Sequence, residues 1–235
     1  MEAVRHYGGE VTLCPSNQAA REAATKSLME RSPMELIHSS DNYLIIAGQS
    51  TVSYEIFREI EDLDYVLTPL GGGGLLAGTC LGSVHFSPKT KVIGVEPELA
   101  NDAYHKFKQE REPKFLDNAQ SVKILNRESQ VKEVKAAEGA VTVADGLRIG
   151  VGSRNFEIMK QYLDDIITVD DDEIKNAMLL IWERMKIVVE PSSAVTLAAV
   201  LKEGWRFKNK NVAVILSGGN VDLRKLPFKG EETFI

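Results

Sequence analysis

Short apolar runs and helically spaced apolar residues alternate along the chain, and each predicts a structural element. Residues 1–7 read as the end of a helix stopped by Gly8-Gly9. Val11–Cys14 and Glu35–His38 read as short buried strands, with a helix from Asn17 to about Met29 between them. After the polar turn Ser39–Asn42, residues 44–60 have the spacing of one long helix. Tyr65–Leu70 is a mostly apolar run leading into glycines and predicts a buried strand. Leu75 to about Val84 predicts a helix, and Lys91–Val95 the next strand.

Residues 106–139 break this rhythm. They are charged, poor in large apolar side chains, and predict an exposed excursion without a core of its own. Regularity resumes at Val141. Ile166–Val169 predicts a strand and Asp170–Lys186 an amphipathic helix. The acids in that helix's first turn suit the positive end of its dipole. Ser192–Glu203 predicts a helix capped by Ser192 or Ser193. Asn211–Leu216 predicts a last strand that ends in Ser217-Gly218-Gly219-Asn220. Strands alternating with helices predict an α/β fold, with a parallel sheet covered by helices on both faces.

Composition narrows the partners. The 235 residues carry a net charge of −6, with 43% hydrophobic and 26% charged residues. An acidic surface repels nucleic-acid phosphates. No apolar run is long enough to span a bilayer, and the first residues lack the apolar core of a signal peptide. Cys14 and Cys80 lie in apolar segments with no metal-ligand spacing, so both read as reduced core thiols. The cytoplasm is the default location.

The chemistry centres on two glycine loops. Gly71–Gly74 follow a strand and open a helix. That position gathers unpaired N–H groups at a helix N-terminus and suits a phosphate. No Gly-Lys-Ser/Thr follows, so the loop is not a nucleotide P-loop. A dinucleotide site is an alternative, because Gly72–Ala77 fits a loose G-x-G-x-x-A pattern and Glu96 ends the next strand, where a ribose-binding acid would lie. The second loop, Ser217–Asn220, also follows a strand. Two such loops at strand ends point to the two ends of one ligand.

The order of these motifs resembles one family. The strand-GGGGLLAG segment, VEP at 95–97, ADG at 144–146, ERMKIVVEPSSA at 183–194 and LSGGNVDL at 216–223 occur as in pyridoxal-phosphate enzymes of the serine racemase and threonine (serine) dehydratase family. Tyr7-Gly8, Ile46–Gln49 and Thr168-Val169 fit as well. The resemblance implies a tryptophan synthase beta-like fold (fold type II), incomplete at the N-terminus. Residues 1–41 would be the remnant of a small domain and 42–235 the large cofactor-binding domain. It implies that main-chain amides of Gly71, Gly72, Gly73, Gly74 and Leu75 bind the cofactor phosphate. Ser217 would meet the pyridine nitrogen, Asn220 would close that loop, and Glu190 would pack nearby. A neutral partner such as Ser217 does not force protonation of the ring nitrogen, so the electron sink is weaker than with an aspartate. The resemblance also implies a magnesium or calcium ion held by Glu96, the Ala100 carbonyl and Asp102, all oxygen donors. A homodimer is implied too.

The resemblance implies deamination of L-serine or L-threonine to a 2-oxo acid, or serine racemisation. In the family, a lysine in an S-F-K-x-R-G-like motif carries the cofactor. No lysine of this sequence has that context. The chain alone is therefore expected to be inactive, or else to be a non-catalytic relative acting as a regulatory subunit. Ser40 stands where the family often has an asparagine that touches the cofactor hydroxyl.

Overall fold

The computed structural model describes residues 2–15, 18–110, 135 and 141–228. The chain divides into two compact units, Met1–His38 and Ser39–Ile235.

In the first unit, helix α1 (Glu2–His6) ends at Gly8, whose φ of +84° reverses the chain. Helix α2 spans Gln18–Arg31. The two strands expected here do not form. Residues 11–14 and 35–38 are irregular, with Leu13, Cys14 and Ile37 exposed. An apolar run of four residues has the composition of a strand, but without a pairing neighbour it gains no ladder hydrogen bonds. Cys14 is thus not a core thiol, whereas Cys80 is buried.

Among the described residues, the second unit is built on four strands: β1 (Tyr65–Pro69), β2 (Lys91–Pro97), β3 (Asp165–Val169) and β4 (Val212–Val214). They pair in the order β3-β2-β1-β4, and every pairing is parallel. The expected helix over 44–60 is two helices, α3 (Tyr43–Gln49) and α4 (Thr51–Glu59), joined at Ser50. Helix α5 (Gly74–Phe86) connects β1 to β2. Helix α6 (Asp102–Glu110) buries Phe107, so the start of the charged segment belongs to the core. Residues 111–134 and 136–140 of that segment lie outside the described residues. Helix α7 (Ser153–Tyr162) was not expected from the sequence. Helices α8 (Asp171–Met185), α9 (Pro191–Lys202) and α10 (Gly204–Phe207) lead back to β4.

Alternation along the strands separates the two faces. Val92 and Ile166 pack with α5, α6 and α7 around Leu76, Phe107, Phe156 and Met159. Leu67, Ile93, Val95, Ile167 and Val169 pack with α8, α9 and α10 around Ile174, Met178, Val195 and Phe207. Helices therefore cover both faces, as the sequence predicts. Among the described residues, no helix is long and apolar enough to cross a membrane.

The caps explain two boundaries. Asp170 caps α8 by accepting from the N–H groups of Asp172 and Glu173, and Glu173 reaches back to the Asp170 N–H. Helix α9 is not capped by Ser192 or Ser193, both of which are buried inside it. It starts at Pro191, whose fixed φ suits the first helical position, with Glu190 as the residue before.

The strand order places the site. The chain runs outward from β1 to β2 and β3, then returns across β1 to β4. The loops after β1 and β4 leave the same edge of the sheet from neighbouring strands, where strand order reverses and ligands bind in open α/β sheets.

Candidate functional site

Strand β1 is buried throughout and delivers Gly71–Gly74 at its C-terminal end. Gly73 has φ +88° and ψ −7° and occupies the N-cap position of α5, with no side-chain cap. The first intrahelical bond runs from the Ala77 N–H to the Gly73 carbonyl at 2.8 Å. The N–H groups just before Ala77, those of Gly74, Leu75 and Leu76, have no acceptor within the helix. An anion at this end would receive them together with the helix dipole.

Three neighbouring segments press on the loop. A Cβ added at Gly71 would lie 3.2 Å from the Gly146 carbonyl, and one at Gly72 would lie 2.5 Å from Ser40 Oγ. At Gly73 it would lie 2.9 Å from both Val151 Cγ1 and Asn155 Cβ. Ser40, the residue at the expected asparagine position, thus sits against the glycine loop.

Glu190 organises the second loop. Its N–H donates to the Gly218 carbonyl at 3.1 Å, and its Oε2 accepts from the Asn220 N–H at 3.0 Å. Glu190 and Asn220 are therefore in direct contact, whereas Ser217 is exposed on the same loop. Gly146 links the first loop to α9. It lies against Gly71, and its N–H donates to Ser192 Oγ in α9 at 3.1 Å. The ADG segment was legible as a motif, but this bridging role was not.

Burial raises the Glu190 carboxyl above the usual range; the Asn220 N–H pulls it down and the Asp145 charge pushes it up. A raised carboxyl favours the protonated form in the fold. Its contribution is therefore most favourable below the unfolded value of 4.5 and is lost as pH rises through the folded value. Glu190→Gln keeps an acceptor for Asn220 without the charge. Thermal unfolding across pH should show the variant more stable than the parent at pH ~7, with the difference closing below about pH 4.5. A constant difference at all pH values would remove Glu190 as its source.

The third cluster lies at the end of β2. Glu96 is 2% exposed, and its Oε2 accepts from the Tyr104 N–H at 2.7 Å. Burial, then the nearby Asp102 charge, push its carboxyl well above the usual range. Ala100 is buried at the end of the short turn Glu98–Ala100, and Asp102 opens α6. The structure thus brings Glu96 and Asp102 close together. Among the described residues no group of three or more His, Cys, Asp or Glu gathers as metal ligands. A cation here would need carbonyl and water oxygens beside the two carboxylates, a donor set that suits a hard ion.

Residues 1–218 match the pyridoxal-phosphate dependent enzymes, and the chain belongs to this family. It is 44% identical over 229 residues to the serine racemase of Dictyostelium discoideum, covering 96% of this chain and 64% of that protein. It is 37% identical over 227 residues to the beta-hydroxyaspartate dehydratase of Paracoccus denitrificans, covering 97% of this chain and 65% of that protein. Among solved structures, maize serine racemase superposes with a TM-score of 0.81 at 30% identity, over 94% of this chain and 64% of that one. A threonine deaminase from tomato, Solanum lycopersicum, superposes with a TM-score of 0.78 at 29% identity, over 95% of this chain and 56% of that one. The chain thus spans less than two thirds of the length of these relatives. The family expected from the glycine loops is the one found, which displaces the nicotinamide alternative.

Proposed function

We propose that this chain holds pyridoxal phosphate, and that in a protein of the length of its relatives it serves an ammonia-lyase or racemase acting on L-serine or L-threonine. The observation that carries this reading is the start of α5. A thirteen-residue helix opens on a left-handed glycine, has no side-chain cap, and shares a sheet edge with a second glycine loop.

The Gly71–Gly74 and Leu75 amides hold the phosphate. Ser217 faces the ring nitrogen, and Glu190 keeps its loop in place through Gly218 and Asn220. Pyridoxal phosphate, when bound, supplies the electron sink for removal of an amino acid's α-proton. The residues here bind and orient it. We assign residues 1–41 to a small domain and 42–235 to the cofactor-binding domain of a homodimer. No lysine of the sequence has the family's S-F-K-x-R-G context, so this chain alone binds the cofactor without covalent attachment and is inactive.

Equilibrium dialysis with pyridoxal phosphate, followed by borohydride reduction and intact-mass measurement, tests this. Reversible binding with an unmodified chain mass is expected. Stoichiometric addition of one cofactor to one lysine would refute the non-covalent reading, and absence of binding would refute the cradle.

Glu96, the Ala100 carbonyl and Asp102 form the cation site in this reading. A divalent ion relieves the repulsion between the two close carboxylates. Millimolar Mg2+ or Ca2+ should raise the melting temperature of the parent chain by about 2–4 °C, as ligand binding to the folded state does. Glu96→Gln should lose that response. An equal response in both proteins would place the ion elsewhere.

A further inference from the structure

We propose that Asn155 is a positioning residue for the phosphate cradle: its buried amide fixes the Gly72–Gly73 peptide so that the N–H of Gly73 faces the ligand side. The proposal rests on Gly71–Gly74 being that cradle. Asn155 lies in the first turn of α7 and is fully buried. Its Nδ2 donates to the Gly72 carbonyl at 2.7 Å, and the Gly152 N–H donates to the same oxygen at 3.3 Å. In a trans peptide the carbonyl and the following N–H point in opposite directions. Turning the Gly72 carbonyl toward α7 therefore turns the Gly73 N–H away from it. The reverse orientation of the side-chain amide would set two acceptors face to face.

Packing alone does not account for an asparagine here. Its Oδ1 is buried with no hydrogen-bond partner. A buried acceptor without a donor costs free energy that an apolar side chain would not. The bond from Nδ2 to the loop gives the amide its purpose.

The placement of Asn155 is itself braced from another segment. Asp41 Oδ1 accepts from the N–H groups of Arg154 at 3.0 Å and Asn155 at 3.3 Å, and so caps α7 from outside the helix. The Arg154 guanidinium also donates to the Asp41 carbonyl at 3.3 Å and pairs with its Oδ2 at 3.4 Å. Gly152 leaves room for this, because a Cβ there would overlap the Asp41 carboxylate. The turn at residues 40–41 thus touches the glycine loop through Ser40 and anchors the helix that orients it through Asp41.

The test compares the parent chain with Asn155→Leu, and with Phe156→Leu, a neighbouring core change that does not touch the loop's carbonyl. Calorimetric titration uses pyridoxal phosphate and, separately, inorganic phosphate. Asn155→Leu should weaken both ligands by about tenfold or more, while Phe156→Leu lowers the melting temperature but leaves both affinities within about twofold. Phosphorus NMR of bound pyridoxal phosphate adds a readout that general loosening does not move. In the parent the bound phosphate should stay dianionic through its solution pKa of about 6, and in Asn155→Leu it should titrate. If Asn155→Leu does not fold, Asn155→Ser, which shortens the reach without adding bulk, is read in its place. Unchanged affinity in the Asn155 variant, or equal weakening by Phe156→Leu, overturns the proposal. Failure of the parent to bind either ligand removes the cradle reading, and this proposal with it.

Discussion

Gly73→Ala is expected to weaken pyridoxal-phosphate binding by about 100-fold, close to 2.7 kcal/mol. Two independent costs combine at this position. The φ of +88° lies in the region where a Cβ meets the backbone, at roughly 1–2 kcal/mol. The new Cβ would also lie 2.9 Å from Val151 Cγ1 and from Asn155 Cβ, inside van der Waals contact on two sides. The chain can relieve this only by rotating the Gly72–Gly73 peptide or by moving α7 away. Either response redirects the N–H groups at the start of α5. Calorimetric titration measures the loss, and pyridoxal lacking the phosphate serves as the control. Parent-like affinity in the variant would mean that the phosphate is held elsewhere.

Gly78→Leu should have the largest effect on stability, about 3 kcal/mol or more, because an enlarged side chain here meets backbone rather than a side chain that can turn. Gly78 lies in α5 where the helix crosses the junction of α3 and α4. A Cβ added there would lie 2.7 Å from Gln49 C, Ile46 O and Ser50 N. One turn later, a Cβ at Gly82 would overlap the buried Ser53 hydroxyl. These glycines let α5 approach α3 and α4 at backbone distance. A loss of that size lowers the melting temperature by roughly 6–12 °C in a domain of this length. Scanning calorimetry reads it directly, and a change under about 2 °C would show that the helices can separate at little cost.

Much of this architecture was legible because burial writes itself into the sequence. Strands β1, β2 and β3 are largely buried and appear as short, mostly apolar runs, and a glycine loop follows β1. The same composition misled at Val11–Cys14 and Glu35–His38, where no strand forms, since pairing depends on a neighbour that composition does not reveal. Helix α7 went unseen because two glycines, Gly150 and Gly152, precede it and no capping side chain at Gly152 marks its start, although Phe156, Ile158, Met159 and Tyr162 form a buried face. Ser192 looked like a cap but accepts from Gly146 in a distant turn.

The glycine loop itself suggested a ligand held by the main chain, because four consecutive glycines between a strand and a helix are costly unless the backbone must approach something closely. Its supports did not announce themselves. Asp41 caps a helix 113 residues away, and Asn155 holds a carbonyl 83 residues before it. Such contacts depend on tertiary placement, and no local pattern carries them. The Glu96–Asp102 pair fell between these cases, since the spacing was visible while the depth of burial was not.

The most direct test of the cradle is an amide-resolved NMR titration of the 15N-labelled chain with pyridoxal phosphate and, in parallel, with pyridoxal. Binding of the phosphate at the start of α5 predicts large shifts at the amides of Gly72, Gly73, Gly74, Leu75 and Leu76 with the phosphorylated ligand and small ones with pyridoxal. Equal shifts with both ligands, or phosphate-dependent shifts confined to other amides, would contradict it.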